Sequence, residues 1–304
     1  MLRLLGRRCA WVPELVVMAA VWAAYELAQR SAPLHVADAV GRGRALLVAE
    51  ARAGLDVERS VNHALSAHPL LATVANYYYA VLHFGVTLVV LIWLWWRRRD
   101  RYAAARNWLV ATNLAALLVF WLAPTAPPRL LPGAGFVDTV VRFHTWGSWA
   151  SPQVAKSADQ YASIPSLHVA WALWCAAAVA AAVRSRRGRA LVWAYPVCTS
   201  VVVVVTGNHY VLDVVAGGLV AALGWALTVA LAAGRARVRP YRPSNALVRR
   251  VAGAVAWAAG WALAWAVRAA RRPVATLPRP LDEVRLPTAP GHRPPLEGDP
   301  VAAR

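Results

Sequence analysis

The chain has 304 residues, 59% of them hydrophobic, and a mean hydropathy of +0.43. Apolar content at that level, gathered in long runs, excludes an ordinary soluble domain and indicates a polytopic membrane protein. The formal charge of +19 comes almost wholly from arginine, with Lys156 the single lysine. Its arginines cluster between apolar runs, which fits cytoplasmic loops facing anionic lipid rather than a nucleic-acid partner.

Six runs, near 10–29, 71–96, 107–123, 164–183, 190–207 and 210–233, are long enough to cross hydrocarbon. A helical crossing of ~30 Å takes about 20 residues. The first run follows Arg3, Arg7 and Arg8 and lacks a small-residue cleavage site, so it reads as a retained anchor. Residues 30–69 mix Arg with Asp and Glu and can form an interfacial helix such as Val40–Leu55. The second run holds His83 near Tyr77, Tyr78 and Tyr79. Such a histidine is either functional or a neutral ring bonded to a tyrosine. Arg97, Arg98, Arg99 and Arg101 separate the second run from the third.

After the third run, Pro124, Pro127, Pro128 and Pro132 rule out a continuing helix, since proline lacks an N–H and clashes with the preceding turn. Trp146 and Trp149 in the same connection suit a membrane interface. Arg184, Arg186, Arg187 and Arg189 lie between the fourth and fifth runs, and Arg235, Arg237 and Arg239 follow the sixth. If all six runs span, the four arginine clusters share one side, which is cytoplasmic and includes the amino terminus. Within 251–268, Trp257, Trp261 and Trp265 recur every fourth residue, on one face of a helix that is interfacial or a seventh span. The proline-rich tail from Arg271 has no packing pattern and reads as disordered. Cys9, Cys175 and Cys198 have no metal-like spacing, and read as inert core residues rather than a disulfide framework. The expected fold is all-α: a six-transmembrane-helix bundle with an extra interfacial or seventh C-terminal helix. No sequence feature bears on oligomeric state.

This topology gathers the polar residues at helix ends. Arg129 follows the third run, Ser166 and His168 open the fourth, and His209 and Asp213 open the sixth, all on the extracytoplasmic side. His209 and Asp213, at i and i+4, share a helix face, so the carboxylate can hold one ring nitrogen and make the other a better nucleophile. His168 is placed to act as general acid. Arg129 offers a planar fork for phosphate oxygens, and the amides around Pro165 and Ser166 make a helix-start anion site. Nucleophile, acid and anion clamp together describe phosphoryl transfer with no metal or other cofactor.

Pro165-Ser166-Leu167-His168 and His209-Tyr210-Val211-Leu212-Asp213 resemble the second and third motifs of the type 2 phosphatidic acid phosphatase superfamily. Ala126-Pro127-Pro128-Arg129 resembles its first, and the likeness covers roughly residues 70–230. Leu167, where classical members have glycine, and the Asn208-His209-Tyr210 context are more similar to the inositol phosphorylceramide synthase branch. The resemblance implies that His209 attacks phosphorus, His168 protonates the departing group and Asp213 orients His209. It implies a lipid phosphate substrate, membrane lipids as partners, and water or an alcohol as the second acceptor. Two cations of the classical motifs are missing, since Leu122 and Val203 stand in their places; the synthase-like branch lacks them too. Lys156 is a candidate replacement or a solvated loop residue.

On this reading residues 1–69 are an anchor plus amphipathic extracytoplasmic segment. Residues 70–233 form the phosphatase or phosphotransferase core, and 234–304 a cytoplasmic basic segment, apolar helix and tail. Competing readings are a channel or transporter whose histidines line a polar path, and an inactive scaffold. A serine hydrolase is disfavoured because Ser166 and His168, two apart, do not face each other on a helix. A His-His-Asp zinc site lacks an evident third strong ligand. Asp138 can bind an inositol-like hydroxyl or cap a turn.

Overall fold

The computed structural model describes residues 11–31, 35–145 and 160–234. Lys156, Trp146, Trp149, Cys9, the run 251–268, the tail and the arginines at both ends of the expected bundle lie outside the described residues. Among the described residues every regular element is helical, with one isolated parallel bridge between Thr125 and Ala162. In chain order they are α1 (Val12–Ser31), α2 (Val36–Arg52), α3 (Glu58–Ser66), α4 (Pro69–Tyr77), a π-turn (Tyr78–Leu82) and α5 (His83–Arg97). They continue with α6 (Arg99–Leu122), a 3-10 turn (Pro128–Leu130), α7 (Thr139–Arg142), α8 (Leu167–Ala180), α9 (Arg186–Val205) and α10 (Val211–Gly234).

Each of the six apolar runs coincides with a helix, and among the described residues four stretches are long and apolar enough to cross a membrane: Pro69–Arg97, Arg99–Leu122, Arg186–Val205 and Val211–Ala233. Helix α8 is apolar but has 14 residues, about 21 Å of rise. Helix α1 has the length, at 20 residues, but carries Glu14, Glu26 and Arg30. Leu71, Val74, Leu88, Val89, Leu118 and Leu122 are exposed along the long helices, as lipid-facing side chains would be. Cys175 lies in the core, whereas Cys198 is exposed on α9, against the expectation of a buried thiol: among the described residues nothing covers that side chain.

The start of α6 lies eight residues ahead of the apolar run because α1 supplies partners for its polar first turns. Arg106 bonds both carboxylate oxygens of Glu14 at 2.6 and 2.7 Å, and the Tyr102 hydroxyl donates to the same group at 3.0 Å. Helix α10 lies along α6, with Trp108 Nε1 donating to the Ala221 carbonyl at 2.7 Å. Ala116, Leu117, Phe120, Ala170, Val220 and Ala221 pack between them and α8. Small side chains at such a crossing let backbones approach closely, the packing that holds helices together in lipid. A second cluster joins Val90 and Leu94 of α5 to Leu109 of α6 and Trp174 of α8.

Helix α2 is docked as well as amphipathic. Its Ala39 carbonyl accepts the Ala126 amide at 3.0 Å, and Arg42 Nε donates to the Pro124 carbonyl at 2.7 Å. A Cβ at Gly43 would stand 2.7 Å from both the Ala126 carbonyl oxygen and the Tyr210 hydroxyl, so only glycine permits this approach. The segment between α1 and α4 thus reaches the loop after α6 and the start of α10.

Candidate active site

His209 lies in the short turn from α9 into α10, where Gly207 takes φ +72°, a conformation suited to glycine. The expected i, i+4 pair is present: His209 Nδ1 is 3.2 Å from Asp213 Oδ2. Asp213 is fully buried, and the same oxygen also accepts the Tyr210 amide at 3.1 Å and the Ser163 hydroxyl. The Ser163 carbonyl lies 2.8 Å from His209 Nδ1. A carbonyl has no proton to give, so Nδ1 must carry the hydrogen and donate it. The lone pair of the neutral ring is therefore on Nε2, which is buried and makes no hydrogen bond to protein.

His168 opens α8 and meets His209 edge to face, with ring centroids 5.6 Å apart. Its ring stacks on Tyr79 at 4.1 Å and lies 4.0 Å from that of His83. The Tyr79 carbonyl accepts a hydrogen bond from His83 Nδ1 at 3.0 Å. Thus His83 bonds a backbone carbonyl rather than a tyrosine hydroxyl. Tyr79 lies in the π-turn, a local widening of the helix that recurs at functional sites. Helices α8 and α10 come together beside the pair because Gly217 leaves room for the Ser166 carbonyl. The Ser166 amide donates to the Asp213 carbonyl at 3.1 Å, while its hydroxyl is buried without a protein partner.

Arg129 is carried on the 3-10 turn after α6, with its side chain 2% exposed. Its Nε donates to Asn208 Oδ1 at 2.8 Å and one terminal nitrogen to Asp138 Oδ2 at 2.8 Å. Its backbone amide donates to the Gly207 carbonyl at 3.0 Å, joining this turn to the one that carries His209. Asp138 has two tasks: it pairs with Arg129 and caps α7 through the Val140 and Val141 amides. Of the predicted site residues, His168, His209, Asp213, Arg129 and Ser166 are gathered by these contacts, and Lys156 lies outside the described residues. Leu122 is exposed on the outer face of α6, whereas Val203 is buried and lends its carbonyl to the His209 amide. Among the described residues no group of three or more His, Cys, Asp and Glu is arranged to hold a metal.

Sequence reasoning missed several contributors. Ser163 supplies a carbonyl, which no side-chain pattern advertises, and Asn208 was visible only as context for His209. Glu50 and Glu58 were read as part of a mixed-charge connection. Instead their Oε1 atoms accept the amides of Leu212 at 2.7 Å and Val211 at 3.1 Å, across 162 and 153 residues of chain.

A buried histidine bonded to an aspartate thus lies beside a second histidine, with an arginine on the adjoining turn. A family model described as the PAP2 superfamily matches residues 44–227. The chain belongs to that superfamily, whose members are phosphatases, and its coarse activity is that of a phosphoric ester hydrolase. The match begins inside α2, so the glutamates fall within it. No curated protein matches the chain, and no solved structure does.

Proposed function

We propose that this chain is an integral-membrane lipid phosphate phosphatase or phosphotransferase that works through a phosphohistidine on His209. The observation that carries the reading is the bond from His209 Nδ1 to the Ser163 carbonyl, which leaves the Nε2 lone pair for attack. Nε2 attacks phosphorus and forms a P–N bond as the ester P–O bond breaks. His168 gives its proton to the departing alkoxide. In the second half, water or an acceptor alcohol attacks phosphorus, gives its proton to His168, and the P–N bond breaks to restore neutral His209. The Arg129 fork and the Ser166 end of α8 hold the phosphoryl oxygens. Charge is neutralised by these groups with no metal step.

The finer assignment is to the inositol phosphorylceramide synthase-like branch, with an alcohol as acceptor. Leu167, the Asn208-His209-Tyr210 context and the apolar Leu122 and Val203 support it. The topology we infer has six crossings, a cytoplasmic amino terminus and the site on the extracytoplasmic face. It follows from the arginine clusters and from the common placement of Arg129, His168 and His209 at helix ends.

The test is purified protein with a panel of lipid phosphates, in the presence of EDTA, comparing wild type with His209→Ala. Wild type should release or transfer phosphate, and the variant should lose at least about 10³-fold in kcat. Turnover that survives the substitution sinks the phosphohistidine, and loss of wild-type turnover in EDTA points to a metal. Ion flux in liposomes with no turnover of any lipid phosphate would favour a channel.

A further inference from the structure

Two buried carboxyl groups outside the motifs bear on the site. Glu50 of α2 and Glu58 of α3 are 0% and 1% exposed and lie against each other, and Glu50 Oε2 is buried without a hydrogen-bond donor. Each reaches one amide in the first turn of α10, the helix that holds Asp213. Those amides have no acceptor within the helix itself, and a negative charge there is favoured by the aligned peptide dipoles. Neither glutamate has an arginine or lysine as its partner in these contacts. Arg42 and Arg44 of α2 are engaged instead by the carbonyls of Pro124 and Pro132.

We propose that Glu50 and Glu58 are a positioning pair that shares one proton, fastens the first turn of α10, and so sets the orientation of His209 and Asp213. Two carboxylates in contact and out of water cannot both ionise, because each charge raises the cost of the other. The pair thus carries one negative charge and one proton, enough for both amides and for the contact between the acids. The groups facing Glu50 are Glu58 from α3 and, at the start of α10, Tyr210 and Asp213, and no cation among them offsets a second charge. Burial first, then Glu58, pushes the Glu50 carboxyl up to about 9 from its usual 4.5. At higher pH the second charge repels both Glu58 and Asp213, and the turn that carries His209 loses its fastening.

The sign of the linkage follows. Glu50 binds its proton more tightly folded than unfolded, so its contribution to stability is fully present below pH 4.5 and is lost as pH rises toward about 9. Glutamine at this position mimics the protonated acid and removes that dependence.

The experiment uses full-length wild type, Glu50→Gln, Glu50→Ala and Glu58→Ala, with kcat and KM against pH on a lipid phosphate and melting temperature against pH. The kinetic arm rests on the proposed function; the melting arm does not. Each alanine variant should lose about tenfold or more in kcat with KM within about twofold, while Glu50→Gln recovers to within about threefold at pH 7. Glu50→Gln should also extend activity past the alkaline fall of the wild type near pH 9, and its melting temperature should decline less between pH 5 and 9. Equal declines in wild type and Glu50→Gln overturn the shared proton. A glutamine variant as impaired as alanine overturns the positioning role. A wild type silent on every lipid phosphate counts against the proposed function, and the melting profiles still decide the pair.

Discussion

The two histidines are held by unlike means. Around His209 nearly every contact is a directed hydrogen bond: Ser163 and Asp213 on the ring, Val203 on the amide, and Glu50 and Glu58 on the turn that follows. Around His168 the contacts are mostly with rings, Tyr79 stacked on it and His83 tilted against it. A hydrogen-bonded shell fixes one tautomer and one direction, which suits a nucleophile. Stacked rings restrain the plane but leave protonation open, which suits a group that gives and regains a proton.

That contrast can be broken in order of expected effect. On the hydrogen-bonded side, Asp213→Asn keeps the shape but removes the charge, and its amide can turn an N–H toward Nδ1. We expect about a 10²-fold loss in kcat with KM little changed, read from steady-state kinetics on a lipid phosphate. Next comes Gly43→Ala, behind the same side. The added methyl meets a backbone oxygen and the Tyr210 hydroxyl, neither of which can retreat cheaply. Overpacking of this kind costs about 1–3 kcal/mol, more than the roughly 1 kcal/mol gained from better helix propensity, so the melting temperature should fall. The smallest effect is expected on the stacked side. Tyr79→Phe keeps the ring that covers His168 and should stay within about threefold of wild-type kcat. A large loss there would mean that the hydroxyl, and not the face, is what His168 needs.

How much of this was legible depended on range along the chain. His209 and Asp213 are four residues apart, so helix geometry alone predicted their contact. Arg129, Ser166 and His168 were found because each marks the end of an apolar run. The helix α2 was anticipated near its true bounds, since its mixed composition has a polar and an apolar side. What it touches was not legible: the Glu50 partner is 162 residues away, and nothing local distinguishes it from the other acids of that segment. The Ser163 carbonyl was invisible for a different reason, because every residue has one. Length and composition alone single out four of the six expected crossings: α1 carries Glu14 in a polar tie to α6 and α8 has 14 residues, so the place of these two in the inferred topology rests on the arginine clusters.

The bonds from Val211 and Leu212 back to Glu58 and Glu50 also bear on how the chain is made. Synthesis delivers the glutamates early and their amide donors more than 150 residues later, so the His209 turn can be braced only when the start of α10 arrives. Until then both acids lack those acceptor bonds and belong in the wet headgroup layer rather than in a packed interior. A nascent chain therefore carries the two bracing acids long before the motif they brace, and that motif is made together with the amides that bind them.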